Sequence, residues 1–212
     1  MKIAYIKIPH GIEWVVGVDE AGRGPLAGPV SLAAVAVRVK DRYLLEKEPV
    51  RDSKQLSPIV REEKLKYIKK LKKDELLQYT VSLVGERIID REGIVSAVRR
   101  GIRNALSRLS IEVETTLVLL DGGIRAPKKY KHQQTIVKGD ARVPIIAYAS
   151  IAAKVRRDRK MKKYSLVFPH YGFEIHKGYG TALHIGNIKK HGPSIIHRKS
   201  FLNNFLVRRQ VL

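Results

Sequence analysis

An α/β or α+β core closed by a helical C-terminal part is the fold class this sequence predicts. Three observations carry it. Short apolar runs recur up to residue 137, segments with apolar residues at helical spacing lie between and after them, and three of the runs close on an acid beside a glycine. Glu13–Val18 and Val30–Val39 read as consecutive strands joined by the glycine-rich stretch Ala21-Gly22-Arg23-Gly24-Pro25. Ser57-Pro58 is a helix start, with Ser as cap and Pro at the first helical position, so residues 59–73 follow as a helix. Gln78–Leu83 supplies a third strand. Ile94, Val98, Ile102, Ala105, Leu106 and Leu109 then recur at helical spacing, with Arg99, Arg103 and Arg108 turned away. Thr116–Leu120 and Gln134–Val137 read as the fourth and fifth strands. A long helix starts at Pro144, with Tyr148, Ile151, Ala152 and Val155 as one stripe and Ser150, Lys154 and Arg157 on another face. Phe168-Pro169-His170-Tyr171-Gly172 breaks the pattern, a short helix over Thr181–Lys190 follows, and a basic C-terminus ends the chain.

Composition bounds the function. The chain has 212 residues, 44% of them hydrophobic, enough to bury one core. It has no apolar run near the roughly 20 residues a membrane span needs, and its start lacks the pattern of a secretory leader. With no cysteine there is no disulfide framework and no thiolate metal site. These features predict a cytoplasmic protein. Forty-two Lys+Arg against 20 Asp+Glu give a net charge of +22, spread along the chain rather than confined to a tail. Such an excess favours a polyanionic partner, because neutralising phosphates releases condensed counterions. Lys64, Lys66, Lys69, Lys70, Lys72 and Lys73 share a helix with Leu65, Ile68 and Leu71; the cluster reads equally as a solubilising face.

The chemistry lies in the acids. Val15-Val16-Gly17-Val18 delivers the adjacent Asp19 and Glu20 into the glycine-rich turn, Thr116–Leu120 ends at Asp121, and Ile136-Val137-Lys138-Gly139 ends at Asp140. Ligands in open α/β sheets gather beyond the carboxyl ends of the strands. Adjacent strand residues point to opposite faces, so Asp19 and Glu20 can serve one site only if the strand ends there. Taken alone, each is also an ordinary acidic strand-to-turn junction. Crowded carboxylates need a counter-charge, which a divalent cation supplies, and oxygen ligands select Mg²⁺ or Mn²⁺.

Asp19-Glu20-Ala21-Gly22-Arg23-Gly24-Pro25, continuing to Val30, resembles the signature of ribonuclease H type 2, the ribonuclease HII family. Asp52-Ser53-Lys54-Gln55-Leu56-Ser57, Leu120-Asp121-Gly122, Val137-Lys138-Gly139-Asp140, Ala149-Ser150-Ile151-Ala152-Ala153-Lys154-Val155 and His176-Lys177-Gly178-Tyr179 are similar to further motifs in the family's order. The resemblance covers nearly the whole chain, and Arg23 between its glycines favours the bacterial type 2 enzymes over ribonuclease HIII. It departs at Gly180, where the family usually has Pro, and at Tyr148, where it usually has a small residue.

The resemblance implies a ribonuclease H-like fold, a five-stranded mixed sheet flanked by helices. It divides the chain into a catalytic core over residues 1–165 and a helical substrate-binding part over 166–212, packed together without a linker. It implies Asp19, Glu20, Asp121 and Asp140 as catalytic acids and ligands of two Mg²⁺ or Mn²⁺ ions, with Glu20 either binding metal or orienting water. Two such ions about 3.5–4 Å apart clamp one phosphate. The implied reaction cuts the RNA strand of RNA–DNA hybrids, and duplex DNA on the 5′ side of a single embedded ribonucleotide, leaving 3′-hydroxyl and 5′-phosphate ends. Gly22, Arg23 and Gly24 are implied as the 2′-hydroxyl sensor, Tyr179 as a stack on the following sugar, and Lys54, Ser150 and Lys154 as phosphate contacts. The expected protein is a monomer without a clear clamp-binding peptide. His176, His184, His191 and His197 show no metal-type spacing and read as groups that hydrogen-bond structure or backbone phosphates, and Asp158 as a local ion-pairing residue.

Overall fold

A computed structural model of the chain describes residues 6–46 and 56–206. Asp52, Ser53, Lys54 and Gln55 of the second motif lie outside the described residues.

Five strands form one mixed sheet. β1 (Trp14–Ala21) runs antiparallel to β2 (Val30–Arg38), which pairs antiparallel with β3 (Leu77–Val84). On its other side β1 pairs parallel with β4 (Thr116–Asp121), and β4 pairs parallel with β5 (His132–Ile136), giving the order β3-β2-β1-β4-β5. The first strand is longer than the apolar run suggests, because pairing with β2 continues to Ala21 opposite Ser31. The fifth is displaced toward the N-terminus: β5 is a polar edge strand, and Val137, counted into it on hydrophobicity, is 72% exposed.

Strand alternation sorts the sheet into two faces. Val15, Ala33, Val35, Val37, Leu117 and Leu119 point to one side, against α1 (Pro58–Lys73) and the long α4 (Pro144–Val167). Val16, Val18, Leu32, Ala34, Ala36, Val118 and Leu120 point to the other, against α2 (Glu86–Leu106). Buried on both faces, β1 and β2 read as continuous apolar runs rather than alternating ones. Helix α1 begins as predicted: Ser57 Oγ accepts from Val60 N at 3.3 Å, and Leu65, Ile68 and Leu71 are buried while five of the six lysines stay exposed. Helix α2 starts well before Ile94. Gly93 interrupts it with φ 77° and ψ 158°, so the periodic signal begins only after the break. Between β5 and α4 lies the single turn α3 (Gly139–Arg142).

Gly17 sets how closely α4 approaches β1. A Cβ there would lie 2.4 Å from the Ile145 carbonyl oxygen, so only glycine lets the start of α4 pack on the strand two residues before Asp19.

The C-terminal part adds α5 (Phe173–His176), α6 (Ala182–His191) and α7 (Lys199–Leu206), the last falling within the expected basic tail. Helix α4 runs through residue 165 without interruption. A third cluster, of Leu26, Ala27, Met161, Tyr171, Phe173, Ile188, Ile196 and Leu202, joins these helices to the β1–β2 connection and α4. Beside it lie the buried His176, His184 and His197. His176 Nε2 lies 2.7 Å from Tyr171 O and its Nδ1 accepts from Gly178 N at 3.1 Å. His197 Nδ1 accepts from Ser194 N at 2.9 Å, so its Nε2 carries the proton and donates to His184 Nε2 at 3.0 Å. His184 Nδ1 in turn donates to Tyr179 O at 2.9 Å. Every ring is satisfied as a neutral tautomer. No helix among the described residues is long and apolar enough to cross a membrane.

Burial pushes His184 and His197 down to about 4, whereas an imidazole in the unfolded chain titrates near about 6.5. Between those values the unfolded chain binds more protons, so stability present above about 6.5 is lost as the pH falls toward 4. The melting temperature is expected to drop by roughly 8–16 °C between pH 7 and pH 5, the shift that about 4 kcal/mol, half from each ring, produces in a chain of this size. Because the raised Asp19 carboxyl gains stability as the pH falls, the comparison is made in the Asp19→Asn chain, where a flat melting temperature would contradict a neutral buried pair.

Candidate metal centre

Register and alternation build the site. The parallel pairing of β1 with β4 matches Val18 to Leu120, so the next step along both strands brings Asp19 beside Asp121. Both have the parity of Val15, Leu117 and Leu119 and turn toward α4. Asp140 arrives from α3, immediately ahead of α4. Each of the three aspartates offers a carboxylate oxygen, and these atoms all lie within 4.8 Å of one another. Backbone amides fix two of them: Glu20 N donates to Asp19 Oδ1 at 2.7 Å, and Gly139 N to Asp121 Oδ1 at 2.6 Å.

Burial raises the Asp19 carboxyl well above the usual carboxylate range; the Glu20 charge pushes it further, and Asp121 adds to the effect. A hydrogen bond from Ser150, on the buried face of α4, opposes the shift. Three converging carboxylates of which one is so disfavoured as an anion form a hard, all-oxygen donor set, the chemistry that suits Mg²⁺ or Mn²⁺. The residues therefore fit the expected cation.

Glu20 stands outside this group. Because β1 continues to Ala21, Glu20 faces the α2 side, where its Oε1 accepts from Arg23 Nη1 at 3.3 Å. The strand does not end at this pair, so β1 alone does not turn both acids the same way, although the Glu20 charge still acts on Asp19.

The turn after β1 lies against two fully buried arginines. Gly22, at φ 91°, leaves no room for a side chain, since a Cβ would sit 2.0 Å from Arg157 Nε. Arg157 donates from Nε to Pro29 O at 2.9 Å and from Nη2 to Ala27 O at 3.1 Å. Arg198 donates to Gly22 O, Arg23 O and Gly28 O. Tyr179 lies beside this frame, its ring centroid 5.8 Å from Arg157 Cζ and 5.9 Å from Lys154 Nζ. Lys154 itself pairs with Asp158 at 2.9 Å, which makes Asp158 the ion-pairing residue expected of it. The structure thus brings Asp19, Asp121, Asp140 and Ser150 together, and sets Gly22, Arg157 and Tyr179 beside one another. Sequence reasoning missed Arg198 altogether and took Arg157 only as one member of a helix face. Neither gives a signal in a chain with 42 basic residues.

A family model described as ribonuclease HII matches residues 16–204. A ribonuclease HII of Caldicellulosiruptor bescii is 46% identical over 197 residues, covering 93% of this chain and 90% of its own length. Among solved structures, the ribonuclease HII of Archaeoglobus fulgidus, determined in complex with PCNA, is 25% identical with a TM-score of 0.74, covering 93% of this chain and 98% of that one. The ribonuclease H2 of Pyrococcus horikoshii is 27% identical with a TM-score of 0.68, covering 92% and 98%.

Asp19→Asn removes the disfavoured Asp19 anion while keeping an oxygen for Glu20 N. The metal-free variant is expected to melt about 2–6 °C higher than the parent chain, and to bind Mn²⁺ at least about tenfold more weakly in a calorimetric titration. A lower melting temperature together with unchanged Mn²⁺ affinity would contradict the site.

Proposed function

The chain belongs to the ribonuclease HII family, and from that membership we propose that it cuts both the RNA strand of RNA–DNA hybrids and duplex DNA on the 5′ side of a single embedded ribonucleotide. That it is a ribonuclease H, a metal-dependent endonuclease, follows from the family and its relatives; the single-ribonucleotide activity is the proposal. The convergence of Asp19, Asp121 and Asp140 next to the Gly22-Arg23-Gly24 turn carries it.

Asp19, Asp121 and Asp140 would hold the divalent ions, and Glu20 is the fourth acid of the proposed set, adjacent to Asp19 on the other face of β1. Two bound Mg²⁺ or Mn²⁺ ions supply activation of water and stabilisation of the leaving oxygen in phosphodiester hydrolysis. The protein's own part is to place the phosphate. Ser150 keeps Asp19 oriented by hydrogen bonding. The amides of the Gly22–Gly24 turn, and the carbonyl lone pairs that Arg198 leaves available, are the groups that would read a 2′-hydroxyl, which distinguishes RNA from DNA. Nothing lies within 4 Å of a Cβ built on Gly24, so this turn is open on its outer side. Tyr179, exposed on the C-terminal part, would stack on the sugar that follows the ribonucleotide. Lys154 would meet backbone phosphate, as would the wider basic surface.

On a DNA duplex carrying one ribonucleotide, cleavage is expected on its 5′ side, only with Mg²⁺ or Mn²⁺ present, leaving a 3′-hydroxyl. Asp121→Asn is expected to abolish turnover while filter binding persists, because the basic surface supplies affinity. Tyr179→Ala is expected to lower the rate on this substrate roughly tenfold more than on uniform hybrid, at the lower end of what a base or sugar stack contributes. Cleavage on the 3′ side, or equal losses on both substrates, would contradict this reading.

A further inference from the structure

One dipeptide, His197-Arg198, reaches both halves of the proposed ribonucleotide reader. Arg198 is fully buried, and every acceptor of its guanidinium hydrogen bonds is a backbone carbonyl of the β1–β2 connection. Nη2 donates to Gly22 O at 2.7 Å and Gly28 O at 2.8 Å, Nη1 to Arg23 O at 2.8 Å, and Nε to Gly28 O at 2.9 Å. Its own backbone N donates to Leu26 O at 2.8 Å, and Gly28 N returns a bond to Ile196 O at 2.9 Å. His197, one residue earlier, forms an isolated antiparallel bridge with Ala27. Its side chain runs the other way, through His184 to Tyr179 O. Leu26 N closes the frame on Gly178 O at 2.8 Å.

We propose that His197 and Arg198 are positioning residues that fix the spacing between the Gly22-Arg23-Gly24 turn and Tyr179, and thereby set the preference for a ribonucleotide followed by a deoxyribonucleotide. This rests on the reading that the turn senses the 2′-hydroxyl and Tyr179 the next sugar. A planar guanidinium holds the Gly22 and Arg23 carbonyls in a fixed relation; an ammonium on a flexible stem offers no such fork. The histidine pair has a direction, because Ser194 N–H fills His197 Nδ1 and leaves only Nε2 to donate onward. A uniform hybrid needs only the turn, whereas a single embedded ribonucleotide needs turn and ring at one spacing. Loosening the frame therefore penalises the junction substrate selectively.

The test compares single-turnover rates of full-length variants on duplex DNA with one ribonucleotide and on uniform RNA–DNA hybrid, with thermal melts run alongside. Glutamine at 197 puts an amide donor where Nε2 stands, while asparagine reaches only the Ser194 side. Arg198→Lys and His197→Asn are expected to reduce the junction-to-hybrid rate ratio about tenfold, and His197→Gln to hold it within about twofold of the parent, as the loss or retention of a buried hydrogen bond dictates. If Tyr179→Ala is selective but Arg198→Lys and both His197 variants lose rate equally on the two substrates, the positioning role is overturned and the reader stands. If Tyr179→Ala is itself unselective, the reader falls and the positioning role with it. Should Arg198→Lys melt below the assay temperature, the two His197 variants decide alone, and equal ratios for Gln and Asn overturn the proposal.

Discussion

The parallel pairing of β1 with β4 is the constraint on which the rest of the site depends. It sets Asp19 and Asp121 side by side at the same depth, and strand alternation turns both toward α4. Asp19 is unfavourable as an anion there, chiefly because it is buried and then because of the Glu20 charge, with Asp121 adding a smaller push. The surroundings are arranged to hold both aspartates there regardless. Gly17 lets α4 close over the strand, Ser150 on that helix hydrogen-bonds Asp19, and Gly139 N binds Asp121 just before Asp140 joins the group. A shift of one residue in register would move either aspartate to the α2 face and dismantle the cluster.

The turn beside the acids obeys a different logic. Arg157 and Arg198 are both fully buried and hold carbonyl groups rather than carboxylates. Burial lowers both, and the neighbouring Arg157 adds to the effect that brings Arg198 down to about 9. Taking a guanidinium out of water costs several kcal/mol, offset here by hydrogen bonds to peptide oxygens. The result is a glycine-rich turn with little freedom at its base and an open outer side.

How much was legible in the sequence depended on whether a residue's neighbours along the chain were also its neighbours in space. The buried strands, the Ser57 cap and the start of α4 at Pro144 rest on local pattern, and the structure has them within a few residues. Asp19 and Asp121 were legible because each ends an apolar run, whereas Asp140 stands in α3, beyond the polar β5. The end of β1 was misplaced because the length of the strand is set by its pairing with β2, not by its own hydrophobicity. Gly93 hid the first turns of α2, and β5 carries too little apolar character to mark its bounds. Arg198 and the His197–His184–Tyr179 chain depend on residues 5 to 176 apart in sequence, which no periodicity reports. The absence of metal-type spacing among the histidines did point to the structural hydrogen bonds that His176, His184 and His197 make.

The central claim is that the β1–β4 register builds a divalent-cation site from Asp19, Asp121 and Asp140. Anomalous diffraction from crystals of the full chain grown with Mn²⁺ tests it most directly. A peak within coordination distance, about 2–2.5 Å, of carboxylate oxygens from all three aspartates is the predicted result. A fully occupied Mn²⁺ elsewhere with none at these carboxylates, or aspartates separated on opposite faces of the sheet, would contradict it.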